Sequence, residues 1–119
     1  MTRLLRLASR LYHLALPLSH QLDELLSVGL AGPFGDDRLS IGGLKLYTDG
    51  AITGGTAAFS EGIGPGRSPG TFYHPPEVFR TLVNRAHRGG WQLAIHTMGV
   101  AAYEWMLDAV ETAFRAHPV

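Results

Sequence analysis

At 119 residues the chain suits one compact domain, and a hydrophobic share of 45% is ordinary for a globular protein with a core. Ten basic and ten acidic residues cancel, which leaves no electrostatic footprint for nucleic acid or an anionic membrane. With no cysteine there is no disulfide framework, no thiolate nucleophile and no cysteine-based zinc site, a composition that fits the reducing cytoplasm.

The N-terminal residues set Leu4, Leu5, Leu7 and Ala8 among arginines, as at the end of an amphipathic helix. Arg6, Arg10 and His13 interrupt the apolar run and no small-x-small site follows, so no signal peptide is expected. No stretch approaches the ~20 apolar residues of a membrane span. Residues 11–16, apolar and followed by Pro17, read as a buried strand. Ser19 is the expected N-cap of a helix ending at Val28, with Leu22, Leu25 and Leu26 on one face and Gly29 as a left-handed C-cap. Residues 31–38, rich in Gly, Pro and Asp, read as loop.

A second strand follows, Gly43-Leu-Lys45-Leu-Tyr-Thr-Asp49-Gly50, with a lysine in an apolar run and an Asp-Gly end. Residues 51–76 are long and irregular, and the glycines at 62–70 read as a flexible lid or linker. They form neither a dinucleotide fingerprint nor a P-loop, and Pro65 and Pro69 remove donors that phosphate binding would use. Pro75-Pro76 starts a helix with Val78, Phe79, Leu82, Val83 and Ala86 inward, closed by Gly89-Gly90. Trp91-Gln-Leu-Ala-Ile-His96 is a third strand, ending in a histidine before Thr97-Met98-Gly99. The last helix spans about 101–115, with Ala102, Trp105, Met106, Ala109 and Ala113 inward and Glu104, Asp108 and Glu111 facing water.

Strands alternate with helices, which predicts parallel strands joined by helical crossovers. Each unit takes roughly 40 residues, the scale of a (β/α)8 barrel of ~250. Three strands cannot close one. The expected fold is therefore α/β, a small open sheet or part of a TIM (β/α)8 barrel with about three parallel strands.

Sites in parallel α/β sheets lie at the C-terminal ends of the strands. His96 is the last residue of its strand and Asp49 ends the other, with Lys45 four residues deeper. A lysine there must leave water, which disfavours the ammonium. Only a neutral or modified form could ligate a metal; a lysine carboxylated by carbon dioxide would present two anionic oxygens. The plainer alternative is a lysine that snorkels or pairs with Asp49. His96 is either a satisfied polar residue or a metal ligand, and Asp49 before Gly50 could be turn chemistry alone. His13 reads as structural, His20, His87 and His117 as solvent-facing or helix-end residues, and His74 as a residue near the loop's end that could approach a site.

The ordered set resembles a known family. The Lys45–Gly50 motif, Gly55-Thr56-Ala57-Ala58, Gly70 before a proline-started helix, Leu93-Ala-Ile-His96-Thr-Met-Gly99 and Leu107-Asp-Ala-Val-Glu111 are similar to the middle of the amidohydrolase 3 (YtcJ-like) family. That family is itself similar to N-substituted formamide deformylases. The resemblance covers roughly residues 20–117 and implies a metal-dependent hydrolase on a TIM-barrel core, with residues 1–119 one fragment of it. It implies Lys45 as a fourth-strand ligand, carboxylated in many relatives, and His96 as a fifth-strand ligand. Asp49 belongs to an Asp-Gly turn beside the site, with a catalytic role the least defined of the three. The implied cofactor is one or two divalent ions, zinc foremost. The implied reaction is hydrolysis of a carbon–nitrogen, amide-type bond in a small-molecule substrate by metal-activated water.

Two departures stand out. There is no His-x-His anywhere, and Gly99 is followed by Val100 where the family often has aspartate. The sixth-strand histidine and the eighth-strand aspartate, the family's general base, have no counterpart either. The expectation is therefore a chain inactive by itself, with the remaining barrel segments or self-association as partners. The competing readings are a non-catalytic α/β binding module derived from the barrel, and an unrelated small enzyme using His96 as base and Asp49 as its orienter, for which no nucleophile is present.

Overall fold

The computed structural model describes residues 18–119, apart from 33, 37, 39, 42 and 63. The expected helix before residue 11, the strand at 11–16 and His13 lie outside the described residues.

The first described element, α1 (Leu18–Ser27), already contains Ser19, which is therefore inside the helix and not its cap. It ends as the glycine predicts: Gly29 has φ of 73°, its N–H reaches the Leu26 carbonyl, and Leu30 N–H reaches that of Leu25. This double bond pattern satisfies two carbonyls that the helix end leaves open. Two short strands then pair antiparallel, β1 (Phe34–Gly35), inside the stretch 31–38 expected to be loop, and β2 (Ser40–Ile41), just beyond it. Two residues per strand are too few to show an alternating apolar pattern.

The central sheet pairs β3 (Gly43–Tyr47) with β4 (Gln92–His96) in parallel, Lys45 opposite Ala94 and Tyr47 opposite His96. The expected parallel crossover is present. Between the strands come residues 51–75 without a helix or strand and then α2 (Pro76–Arg88); after β4 comes α3 (Val100–Ala116). Gly90, at φ of 74°, closes α2 with the same pair of bonds that Gly29 makes. Of three expected parallel strands, two lie in the described residues, and they form part of a barrel-like layer, not a closed barrel.

Strand parity divides the sheet. Leu44, Leu46, Leu93 and Ile95 point to the helices. One core joins Leu46 to Phe79 and Val83 of α2 and to Ala109 and Ala113 of α3. A second joins Leu22 of α1 to Leu82, Ala86 and Trp91. Small alanines on α3 let that helix lie close, consistent with ridge-and-groove packing. Val78, expected inward, is 41% exposed, because its position on α2 falls at the margin of the stripe set by Phe79, Leu82, Val83 and Ala86. Among the described residues, no helix is long and apolar enough to cross a membrane.

Candidate functional site

The opposite face of the sheet carries the polar chemistry. Residues two apart on a strand share a face, and directly paired residues of parallel strands point the same way. Lys45, Tyr47, Ala94 and His96 therefore lie on one face, away from the helices. Ring contacts agree: Lys45 Nζ sits 5.1 Å from the Tyr47 ring centroid, and the Tyr47 and His96 rings are 5.2 Å apart. Tyr73 continues the row, edge-on to Tyr47 at 6.0 Å. Lys45 and His96 are thus brought to one surface with Tyr47 between them. Both are half-buried. Lys45 is less deeply enclosed than its apolar neighbours in sequence suggest, because no described element covers this face.

Strand β3 stops at Tyr47, two residues before the expected end. Thr48 still donates its N–H to the His96 carbonyl (3.0 Å), but Asp49 turns off to form an isolated bridge with Phe72. The Asp49 side chain is fully buried. Its Oδ1 accepts the Met98 N–H (2.9 Å), and its Oδ2 accepts those of Ala58 and Gly99 (both 2.8 Å). Both oxygens are taken by backbone donors, so the expected alternative of a Lys45–Asp49 pair is not formed.

These contacts tie three segments together: the end of β3, the loop after it and the turn after β4. Ala57 and Ala58 have no exposed surface. Gly99 packs so close to the Ala58 backbone that a Cβ on it would overlap the Ala58 carbonyl oxygen. The long loop therefore has two parts. Ala57 and Ala58 are packed against the strand ends, while residues 64–69 are exposed and run through turns such as the one closed by Arg67 N–H on the Gly64 carbonyl.

The imidazole of His96 is held as well. Its Nε2 lies 2.9 Å from the Gly50 carbonyl oxygen. The Thr48 and Thr97 hydroxyls, from the residues that follow Tyr47 and His96, meet at 3.3 Å. The other histidines are elsewhere. His87, expected to be solvent-facing or at a helix end, lies in the last turn of α2 and is half-buried, stacked on Phe114 at 4.4 Å with Nε2 2.7 Å from the His117 carbonyl oxygen. A helix-end histidine is covered here because α3 runs alongside α2. His74 is half-buried too, and burial lowers its pKa from the ordinary 6.5.

Sequence reasoning missed Tyr47 and Tyr73. Tyr47 had a readable signal, since it stands two residues after Lys45 on the same face. Tyr73 lies in irregular backbone, where no periodicity announces a facing side chain.

Among the described residues there is no group of three or more His, Cys, Asp or Glu that could hold a metal ion. Lys45 and His96 put one lysine nitrogen and one imidazole on a common face, while the Asp49 carboxylate is committed to backbone donors.

Comparison with known proteins agrees with this geometry. A model of the amidohydrolase family matches residues 2–119. The putative amidohydrolase YtcJ of Bacillus subtilis (strain 168) is 31% identical over 101 residues, covering 84% of this chain and 17% of that protein. The chain thus spans about a sixth of the length of that relative. Crystal structures of two uncharacterized metal-dependent hydrolases superpose well. The one from Pyrococcus horikoshii OT3 has a TM-score of 0.69 at 34% identity, over 78% of this chain and 19% of that one. The one from Pyrococcus furiosus has a TM-score of 0.68 at 32% identity, over 79% and 20%. With a family match over almost every residue and a relative 31% identical over most of the chain, the chain belongs to the amidohydrolase family, within the metal-dependent amidohydrolase superfamily.

Proposed function

We propose that these residues supply one sector of a metal-dependent amidohydrolase that cleaves a carbon–nitrogen, amide-type bond in a small molecule. Lys45 and His96 are two of its metal ligands, and the other ligands come from barrel strands outside these 119 residues. The observation that carries the reading is the shared face: register places Lys45 one strand layer below the Tyr47–His96 pair, at the C-terminal rim where such sites form.

A divalent ion, zinc foremost, would supply the Lewis acidity that polarises a carbonyl and makes water nucleophilic at neutral pH. The chain's own residues have three tasks. His96 presents an imidazole lone pair at a fixed place. Lys45 presents its nitrogen from deeper in the sheet, as the free amine or as a carbamate formed with carbon dioxide and loss of a proton. Tyr47 packs between them and keeps both side chains extended toward the rim. Asp49 enters as the group that holds the rim together, since its oxygens face backbone donors and not the open face. The lack of cysteine and the balanced charge support a cytoplasmic setting without nucleic-acid partners.

A second reading is a non-catalytic module that retains the barrel's shape. It is favoured by the lack of a three-ligand acidic or histidine cluster among the described residues. Calorimetric zinc titration separates the two. Under the hydrolase reading the wild-type chain binds zinc weakly, and Lys45→Met and His96→Ala each weaken it at least about tenfold. Zinc binding unchanged by both substitutions would favour the module.

A further inference from the structure

The Gly50–Ala51 peptide unit sits between two side chains, and its orientation is the point of interest. At one end its carbonyl oxygen meets His96 Nε2 at 2.9 Å. At the other its N–H, that of Ala51, donates to Thr56 Oγ1 at 3.0 Å. A peptide unit is planar, so fixing one end fixes the other. The segment between is closed on itself: Gly50 N–H reaches the Thr56 carbonyl (3.2 Å), and Thr56 N–H reaches the Ala51 carbonyl (3.0 Å). Gly50 is in tight contact with the Thr56 side chain, so closely that a Cβ would overlap Oγ1. Only glycine allows this approach.

A carbonyl oxygen can only accept, so Nε2 must carry the proton in this bond. A neutral imidazole then has its lone pair on Nδ1. We propose that Thr56 is a positioning residue for His96: its hydroxyl aims the Gly50 carbonyl, the carbonyl fixes the Nε2–H tautomer, and Nδ1 is the nitrogen left to bind a ligand. The metal-binding consequence rests on the function proposed above; the tautomer does not. Asp49 supports the same seat from the backbone side by holding Met98 and Gly99, and Thr48 N–H holds the His96 carbonyl. Thr56 itself is exposed and lies outside both cores. Its replacement therefore tests the orientation without removing a core group.

The experiment is long-range nitrogen–proton correlation NMR of the histidine rings in the full chain, at about pH 8, where an ordinary imidazole is neutral. The wild type is expected to show His96 as a single Nε2–H tautomer. Thr56→Val is expected to give a mixture of tautomers, with the signals of the α2 and α3 core unchanged, and to weaken zinc binding about tenfold, the lower end of what losing an outer-shell partner does. Thr56→Ser, which keeps the hydroxyl, is expected to restore both. A wild-type His96 in the Nδ1–H form, or a Thr56→Val chain with the wild-type tautomer, would overturn the proposal. A correct tautomer with no zinc effect at His96 would uphold the positioning role and count against the metal-ligand reading alone.

Discussion

Asp49 is the residue on which the rim depends. Hydrogen bonds to a charged acceptor each contribute about 1.5–3 kcal/mol, and stranding the donors in a buried place adds to the loss. Asp49→Ala should therefore destabilise the chain by about 3 kcal/mol or more in urea denaturation. Asp49→Asn should also destabilise, because its amide nitrogen has no acceptor to face where three N–H groups converge. A loss within about 0.5 kcal/mol for Asp49→Ala, the scale of ordinary surface substitutions, would refute the clasp. His74 makes a separate prediction. Its folded pKa lies below its unfolded value, so the unfolded chain binds more protons and stability falls as pH drops below about 6.5. Replacing His74 with Gln should remove that part of the slope; an unchanged pH profile would contradict the assignment. At this scale Lys45, Asp49 and His96 could each be picked out in the sequence from their places near strand ends. The use Asp49 makes of its oxygens could not, because its donors come from residues nine and about fifty positions away.

Among the elements, the three helices and the parallel pair follow from patterns that local physics enforces. The stripe on α2 and the glycines after α1 and α2 mark their elements directly. Phe79→Ala should cost about 3–4 kcal/mol, since its ring is fully buried between β3 and the helices. Val78→Ala should be close to neutral; equal losses at the two positions would mean that the stripe has been placed wrongly. The exposed ion pairs of Arg80 with Glu77 and Asp108 link α2 to α3, but exposure limits their worth. The short β1–β2 pair and the end of β3 were not legible. Two-residue strands have no periodicity, and β3 stops where Asp49 is drawn to Phe72, a partner 23 positions on whose ring stacks on Trp105 at 3.7 Å.

Across the whole molecule, the described sheet has helices on one face only, and among the described residues β3 and β4 have only each other as hydrogen-bonded neighbours. Unpaired strand edges are templates for further pairing. The chain by itself should self-associate, giving concentration-dependent sedimentation; a monodisperse monomer with a cooperative melt would contradict that expectation. The alternation of strands and helices announced the barrel-like layer, while the open face is a property of the assembled sheet that no local pattern records. Under the proposed hydrolase function, Lys45 and His96 share that face and one cation. A small fraction of Mn²⁺ added to the chain, with proton line broadening followed by NMR, is the sharpest test. The Lys45 side-chain and His96 ring signals should broaden together, before those of His74, His87 and His117. Broadening of His96 without Lys45, or of the other histidines first, would rule out the shared cation.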